Sequence, residues 1–329
     1  MRLHRTALAL ALTCSVAGAT SLDFGVSYAP AGGTLGQDGL LRVGVTDLPF
    51  AGFSLMAGAG SRSLDASLGR SLVLPGLGVA RVRADGAFLY GGGLRGGLTL
   101  GGTAGPVALT LSGSVWNAGA ARFDPLARWA EVAPDLRDSG GSFGVTARYR
   151  LNREVVLNVN GTVSAQSSVL AQAEWRQDLL SYRAGVRAGQ DVLGVTGGVT
   201  YADPDSGLNA ALDALVGPDT LGLTGHVGLD GVLGDGSSVR VYAAYEPWRT
   251  TSEVLRIGAQ AGLPVGPGTL NVEAYGGSRG SLTGLGYGVK VGFSLPLDPP
   301  ADGGDAPTGS GTPDGAPGDA APTDAPPAP

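Results

Sequence analysis

The sequence predicts an all-β fold, a closed antiparallel up-and-down barrel of about 16–18 strands (range 14–18) with a disordered acidic C-terminal tail. Three observations support this prediction. Large apolar residues alternate with small or polar ones along most of residues 22–295. Short segments rich in Gly, Asn, Asp and Pro separate the alternating runs, and almost no helical pattern lies between them. The runs are also too many for an open twisted sheet, which rarely exceeds about ten strands.

Residues 1–19 have the pattern of a signal peptide. Arg2 and Arg5 precede an apolar stretch at residues 7–16, and small residues at 17–19 form a cleavage site. The apolar stretch is shorter than the about 20 residues that a membrane-spanning helix needs. The chain is therefore expected to be exported. Its only cysteine, Cys14, lies in this segment, so the mature chain is expected to lack disulfides and thiolate metal sites.

Residues 20–297 are predicted to form the barrel. We find about eighteen alternating runs of roughly eight to eleven residues, which suits the roughly 9–11 tilted residues that cross a bilayer as a strand. FGVTARYR at residues 143–150 is typical, because Phe143, Val145 and Tyr149 alternate with glycine, threonine and arginine. The longest interruption, residues 117–140, follows the seventh run and is expected to be an extracellular loop or to fold into the lumen.

The second face of the runs favours a membrane barrel over a soluble one. In a soluble barrel this face would be rich in Lys, Glu and Thr that meet water. Here it holds Gly, Ser, Thr, Asn and scattered arginines, and Lys290 is its only lysine. An outer-membrane barrel has the matching arrangement, with apolar side chains towards lipid and small or polar ones towards a lumen.

Aromatic residues fall near the ends of many runs, where the interfacial girdles of membrane barrels lie. The candidate girdle residues are Tyr28, Tyr90, Trp116, Phe143, Tyr149, Trp175, Tyr201, Tyr245 and Trp248.

Strand parity places many charged residues on the second face. If that face lines a lumen, they are candidates for a charged constriction that favours anions. An equally good reading is an internal arginine–carboxylate network that braces the wall. The candidate lumen residues are Arg42, Arg95, Arg148, Arg150, Arg183, Arg187, Arg240, Arg256, Asp23, Asp230, Glu253, Glu273 and Lys290.

With these features the chain resembles a bacterial outer-membrane β-barrel, porin-like in its strand number and signal peptide. The resemblance covers residues 22–297 as a pattern. Its most specific part is GLGYGVKVGFSL at residues 284–295, which looks like the final strand that barrel-assembly machinery recognises. In many such proteins the terminal aromatic residue ends the chain, whereas residues 294–329 follow it here. The candidate assembly signal is Tyr287, Val289, Val291 and Phe293.

The resemblance implies a passive channel for small hydrophilic solutes in the outer membrane of a diderm bacterium. Its partners would be outer-membrane lipid and the barrel-assembly machinery, and a homo-oligomer is compatible with the pattern. No catalytic, cofactor or nucleic-acid motif is recognisable, so we expect no enzyme activity, no cofactor, no metal and no nucleic-acid partner. His226, the only histidine outside the signal peptide, is expected to be an ordinary lumen residue.

Residues 298–329 form a compositionally separate tail. They contain six aspartates and no basic residue, among Pro, Ala, Gly, Thr and Ser. Such a segment cannot bury enough apolar surface to offset its ordering entropy.

Two alternative functions stay open: a structural envelope protein with a blocked lumen, whose tail binds a periplasmic or cell-wall partner, and a secreted, soluble β-rich adhesin.

Overall fold

The computed structural model describes residues 19–31, 34–45, 52–118, 135–279 and 285–297. These residues form eighteen β-strands and no α-helix. The strands are β1 (Ala19–Ala31), β2 (Thr34–Val45), β3 (Ser54–Gly60), β4 (Ser63–Leu74), β5 (Gly78–Leu89), β6 (Leu94–Ala104), β7 (Val107–Trp116), β8 (Gly140–Arg150), β9 (Val155–Val163), β10 (Ser168–Gln177), β11 (Leu180–Gly189), β12 (Val192–Asp203), β13 (Leu208–Val216), β14 (Leu221–Asp230), β15 (Ser238–Tyr245), β16 (Glu253–Val265), β17 (Gly268–Arg279) and β18 (Leu285–Pro296).

Each strand pairs antiparallel with the strands before and after it in the chain. The first strand, β1, pairs with β2 and also with the last strand, β18. In this last pairing Ser27 lies opposite Lys290 and Phe24 opposite Phe293. The predicted all-β, antiparallel, up-and-down topology is therefore confirmed. The predicted signal peptide and acidic tail lie outside the described residues, apart from Ala19.

The two faces of the sheet are reversed relative to those of a soluble protein, because apolar side chains are exposed on one face and charged side chains are buried on the other. Valines and leucines on one face are exposed, as in Val26 (60%) and Val115 (66%). Charged side chains on the other face are buried, as in Glu273 (1%) and Lys290 (5%). We call these faces the apolar face and the polar face.

Contacts between strands that are not neighbours show that the polar face is concave. Arg183 on β11 binds Asp213 on β13, and Tyr242 on β15 binds Glu273 on β17. Trp248, which follows β15, lies against Arg187 on β11, four strands away. Side chains can meet over such a separation only where the sheet curves towards them. The polar face is therefore the inner surface.

The connections alternate between two ends of the sheet, since successive strands run in opposite directions. Connections after odd-numbered strands share one end, which we call the long-loop end because it carries the longest connection, residues 117–139. Connections after even-numbered strands share the other end, the short-turn end, where β1 begins and β18 finishes. Its turns include residues 105–106, 178–179 and 266–267.

Candidate lumen and mouth

A buried polar group occupies the inner wall near the pairing of β1 with β18. Glu273 accepts hydrogen bonds at both carboxylate oxygens, from the Tyr242 hydroxyl at 2.9 Å and from Lys290 Nζ at 2.8 Å. Lys290 Nζ also lies 4.9 Å from the centre of the Tyr275 ring. We call these four residues the wall cluster. Its single acid and single ammonium group neutralise each other, so it is a brace rather than a free charge.

Glycines make room for the aromatic rings of the wall cluster. A Cβ atom at Gly258 would meet the Tyr242 ring, and one at Gly288 would meet the Tyr275 ring. Both tyrosines therefore lie flat against the wall, each over a glycine on the next strand. Part of the glycine content of the polar face is explained in this way, because large side chains of one strand occupy the positions that Cβ atoms of the next strand would fill.

A second pair braces the wall between β11 and β13. Arg183 donates from Nε and Nη2 to the two carboxylate oxygens of Asp213, each at 2.9 Å, and from Nη1 to Thr200 Oγ1 at 2.6 Å. This two-pronged geometry is the strongest form of guanidinium–carboxylate contact. Arg183 therefore belongs to an arginine–carboxylate pair that braces the wall, which is one of the two roles that the sequence suggests for the inner arginines.

The connection between β15 and β16, residues 246–252, folds inwards at the long-loop end. Trp248 lies over Gly222 of β14 on the polar face, and the Trp248 ring is 5.8 Å from the guanidinium carbon of Arg187. Ser252 and Glu246 are buried at 6% and 5%. We call residues 246–252 the mouth loop, because it covers the inner edge of β11–β15.

The side chain of Gln166, in the turn between β9 and β10, is hydrogen-bonded to the mouth loop. Its amide nitrogen donates to the Trp248 carbonyl at 2.6 Å and to Thr250 Oγ1 at 2.8 Å. Its amide oxygen accepts from the backbone nitrogen and the hydroxyl of Thr251, each at 3.2 Å. One side chain therefore makes four hydrogen bonds to a loop that lies six strands away along the sheet.

The described ends of the long connection also turn towards the polar face. Ala118 is buried against Leu89, whose side chain points to the inner surface. Leu136 donates its backbone N–H to the Thr251 carbonyl of the mouth loop at 2.8 Å. Asp135 binds Arg137 at 2.6 Å, and this hydrogen bond raises the pKa of the Arg137 guanidinium above its ordinary value. The expectation that residues 117–140 lie outside or fold into the lumen concerns mainly residues 119–134, which lie outside the described residues.

Arginines are concentrated where the mouth loop meets the wall. Glu246 Oε2 lies 2.7 Å from Arg249 Nε and 2.9 Å from Arg256 Nη2. Arg187 interacts electrostatically with both Arg249 and Glu246. We call Arg187, Glu246, Arg249 and Arg256 the mouth cluster. It contains three guanidinium groups and one carboxylate.

The other predicted lumen residues are spread over the inner surface. Glu253 shares this surface with Arg256 because a register shift between Glu253 and Leu255 breaks the alternation. Arg42 is opposite Asp23 in the β1–β2 register, and its side chain lies outside the described part of the chain. The remaining predicted residues lie elsewhere on the polar face: Arg95 near the long-loop end, and Arg148, Arg150, Arg240 and Asp230 near the short-turn end.

Two predicted girdle residues are on the wrong face. The Trp116 indole nitrogen donates to the Arg137 carbonyl at 3.1 Å, and Trp116 lies in register with Arg95 of the polar face. Trp248 belongs to the mouth loop. Trp116 ends β7 with the same parity as Ser112 and Ser114, so counting along VALTLSGSVW would have placed it on the polar face. Trp248 lies in a connection, where no alternation exists to place it.

The other girdle candidates lie on the apolar face or at its edge and form two groups. The group at the long-loop end consists of Tyr28, Tyr90, Phe143 and Tyr245, and the group at the short-turn end of Tyr149, Trp175 and Tyr201. The Trp175 ring also lies 6.0 Å from that of Tyr182.

The candidate assembly signal is part of β18. Tyr287, Val289 and Val291 are exposed on the apolar face at 59%, 43% and 40%. Phe293 is half-buried and lies opposite Phe24 of β1. These residues therefore share the face that the sequence predicts, at the pairing of the last strand with the first.

Several residues of the candidate site are not among those predicted from the sequence. Asp213 lies in the alternating run LNAALDALV, so counting parity along that run would have placed it on the polar face. Gln166 and Glu246 lie in connections, where no periodic signal exists. Arg70 is the opposite case, an arginine on the apolar face near the short-turn end, 5.0 Å from the centre of the Phe53 ring.

No helix in the described ranges is long and apolar enough to cross a membrane. Within the same ranges, no group of three or more His, Cys, Asp or Glu side chains is arranged to hold a metal ion. His226 lies on the polar face of β14, opposite Tyr242 of β15.

No family model matches the chain, and no curated protein matches it. Solved structures with a similar fold include two mutant forms of a porin from Rhodopseudomonas blastica. One is 11% identical with a TM-score of 0.45, and the other is 12% identical with a TM-score of 0.44. A third structure, from work on the asymmetric conductivity of engineered proteins, is 13% identical with a TM-score of 0.45. Each comparison covers 84% of this chain and 98% of the other. The resemblance to porins is one of class alone.

Proposed function

We propose that the chain is an outer-membrane β-barrel that forms a porin-like passive channel for small hydrophilic solutes. The inverted faces carry this proposal: exposed aliphatic side chains form the outer surface, and charged side chains such as Glu273 and Lys290 are buried on the inner one. Such an outer surface suits lipid, and such an inner surface suits a hydrated lumen. The pairing of β1 with β18 supports a barrel closed to lipid on all sides.

The two groups of aromatic residues agree with this placement in a membrane. They lie at opposite ends of the strands, where the two interfaces of a bilayer would be. Arg70 fits the same arrangement, because a long basic side chain near the end of a strand can reach the interface and stack on Phe53. The proposed location is the outer membrane of a diderm bacterium, after export through residues 1–19.

The proposed channel has a weak preference for anions. Three guanidinium groups and one carboxylate meet in the mouth cluster. Arg148 and Arg150 add basic side chains on β8. Rings of basic side chains favour anions in pores.

Planar bilayers test the channel and its selectivity together. Purified mature protein is expected to insert with stepwise conductance. In a KCl gradient, the reversal potential should be shifted from zero towards the equilibrium potential of chloride. A clear potassium preference would overturn the anion proposal while leaving the channel in place.

A structural envelope protein is the second candidate, and the mouth loop favours it. Four hydrogen bonds from Gln166 hold this loop over the inner edge, which narrows the opening. The tail at residues 298–329 would then bind a basic periplasmic or cell-wall partner. In the bilayer experiment, inserted protein that gives no steps would select this candidate. Heat-modifiable migration of the detergent-extracted protein separates both from a soluble adhesin, which would migrate equally with and without boiling.

A further inference from the structure

The mouth cluster has more positive charge than its own residues can neutralise. Glu246 is shared by Arg249 and Arg256 through the same oxygen, Oε2. Arg187 lies against Trp248 of the same loop, with its guanidinium carbon 5.8 Å from the centre of the ring, and adds a third positive charge. Guanidinium groups stay protonated at any ordinary pH, so the imbalance cannot be relieved by losing protons.

Arg256 has hydrogen-bond donors with no partner. The residue is only 9% exposed, and its Nη2 atom donates to Glu246 at 2.9 Å. Among the described residues, no acceptor binds its Nε or Nη1 atoms, both of which are shielded from solvent. A buried charged donor without an acceptor is costly, because it has given up its hydration without replacement. An acceptor supplied from outside would remove that cost.

We propose that the mouth cluster binds a small oxyanion of the phosphate or carboxylate class. Arg256 would donate to its oxygens from Nε and Nη1, and Arg249 and Arg187 would supply the remaining positive charge. Guanidinium groups suit this ligand class, since their planar donors match the spacing of two oxygens on one carbon or phosphorus.

The three arginines also explain where such a ligand would act. Arg249 is in the mouth loop, Arg187 is on β11 and Arg256 is on β16. A bound oxyanion would therefore connect the mouth loop to β11 and to β16. This inference deepens the proposed channel by naming the solute class that its mouth retains, but binding itself does not require conduction.

Inorganic phosphate is the probe, titrated at low ionic strength into the full mature protein in zwitterionic detergent micelles. Calorimetry measures the affinity, and tryptophan fluorescence reports the site because Trp248 lies against Arg187. We expect saturable binding by both readouts. Trp248→Phe should remove the site's fluorescence change but not the heat of binding. Repeating the titration with acetate distinguishes a phosphate site from one that accepts any carboxylate.

Variants of opposite charge give opposite expected results. Arg256→Gln and Arg187→Gln should each weaken phosphate binding about tenfold or more, because the first removes charge-assisted donors and the second removes a neighbouring positive charge. Glu246→Gln should tighten it, because the competing carboxylate is lost. The matched control is Arg176→Gln, an inner-face arginine at the short-turn end that is paired with Glu174 at 2.6 Å. Its affinity should equal that of the parent protein.

No saturable binding, or equal affinity in Arg187→Gln, Glu246→Gln and the parent, would overturn the site. Arg187→Gln decides the matter if Arg256→Gln does not fold, since it leaves the Arg256–Glu246 pair in place. Because these titrations use micelles, a failed phosphate site and a failed channel are separate results: the first is measured without a bilayer and the second by conductance alone.

Discussion

At the scale of single residues, glycine on the inner face has a definite packing role. Tyr275 lies over Gly288 and Tyr242 over Gly258, so each ring occupies the space that a side chain of the next strand would fill. Strand propensity alone would count these glycines as a loss of roughly 0.5–1 kcal/mol each relative to alanine. The flattened tyrosines offset this loss, because their rings cover the wall, the Tyr242 hydroxyl binds Glu273, and the Tyr275 ring lies against Lys290.

The Glu273–Lys290 pair yields a prediction about stability. Glu273→Ala should lower the free energy of unfolding by about 3–5 kcal/mol, because Lys290 would keep its buried charge without a carboxylate. Urea unfolding of the protein in micelles, followed by tryptophan fluorescence, measures this change.

The double variant Glu273→Leu with Lys290→Met provides the control. Replacing both partners of a buried pair by apolar side chains is often neutral, so its stability should lie close to that of the parent. If the single and double variants were destabilised equally, the loss would come from packing and not from the unpaired ammonium group.

At the scale of elements, the mouth loop depends on one glutamine. Gln166→Ala removes four hydrogen bonds and should release residues 246–252 from the turn between β9 and β10. Trypsin should then cut after Arg249 markedly faster than in the parent, because a protease needs a segment that can leave its packed position.

Gln190→Ala is the matched control for this experiment. Gln190 is an exposed glutamine at the same end, in the turn between β11 and β12, and its backbone nitrogen donates to Ser167. Its replacement should leave the cleavage rate unchanged. Equal rates in both variants and the parent would mean that the wall contacts of Trp248 hold the loop without Gln166.

The same elements show how far a sequence of this kind can be interpreted. Period-two alternation identifies the strands and places residues such as Arg183 and Lys290 on the inner face, because a strand has only two faces. It does not give the height of a residue or its partner, so the Arg183–Asp213 brace and the mouth cluster depend on the register between strands. Alternation also fails at irregular positions. The register shift after Glu253 and the inward turn at Trp248 result from tertiary contacts, which a local pattern does not contain.

At the scale of the whole molecule, the pairing of β1 with β18 decides whether the sheet has edges. Eighteen strands joined only in chain order would leave two unpaired edges, which are prone to association with other chains. The registered contact of residues 21–28 with residues 289–296 gives β1 and β18 a pairing partner on the side where each would otherwise be an edge. It also joins segments that are more than 250 residues apart in the sequence.

A pair of cysteines tests this closure directly. Val26 and Val291 are register partners and are exposed on the apolar face at 60% and 40%. Because directly opposed strand residues lie within the reach of a disulfide, Val26→Cys with Val291→Cys should oxidise to an intramolecular bond. After denaturation the cross-linked chain is a closed loop, so it should migrate faster on a non-reducing gel than on a reducing one. Val26→Cys with Val241→Cys, which are on the same face but not on adjacent strands, should give no such shift. A shift in neither variant would show that β1 and β18 are not paired, and the enclosed lumen on which the channel proposal depends would be lost with that pairing.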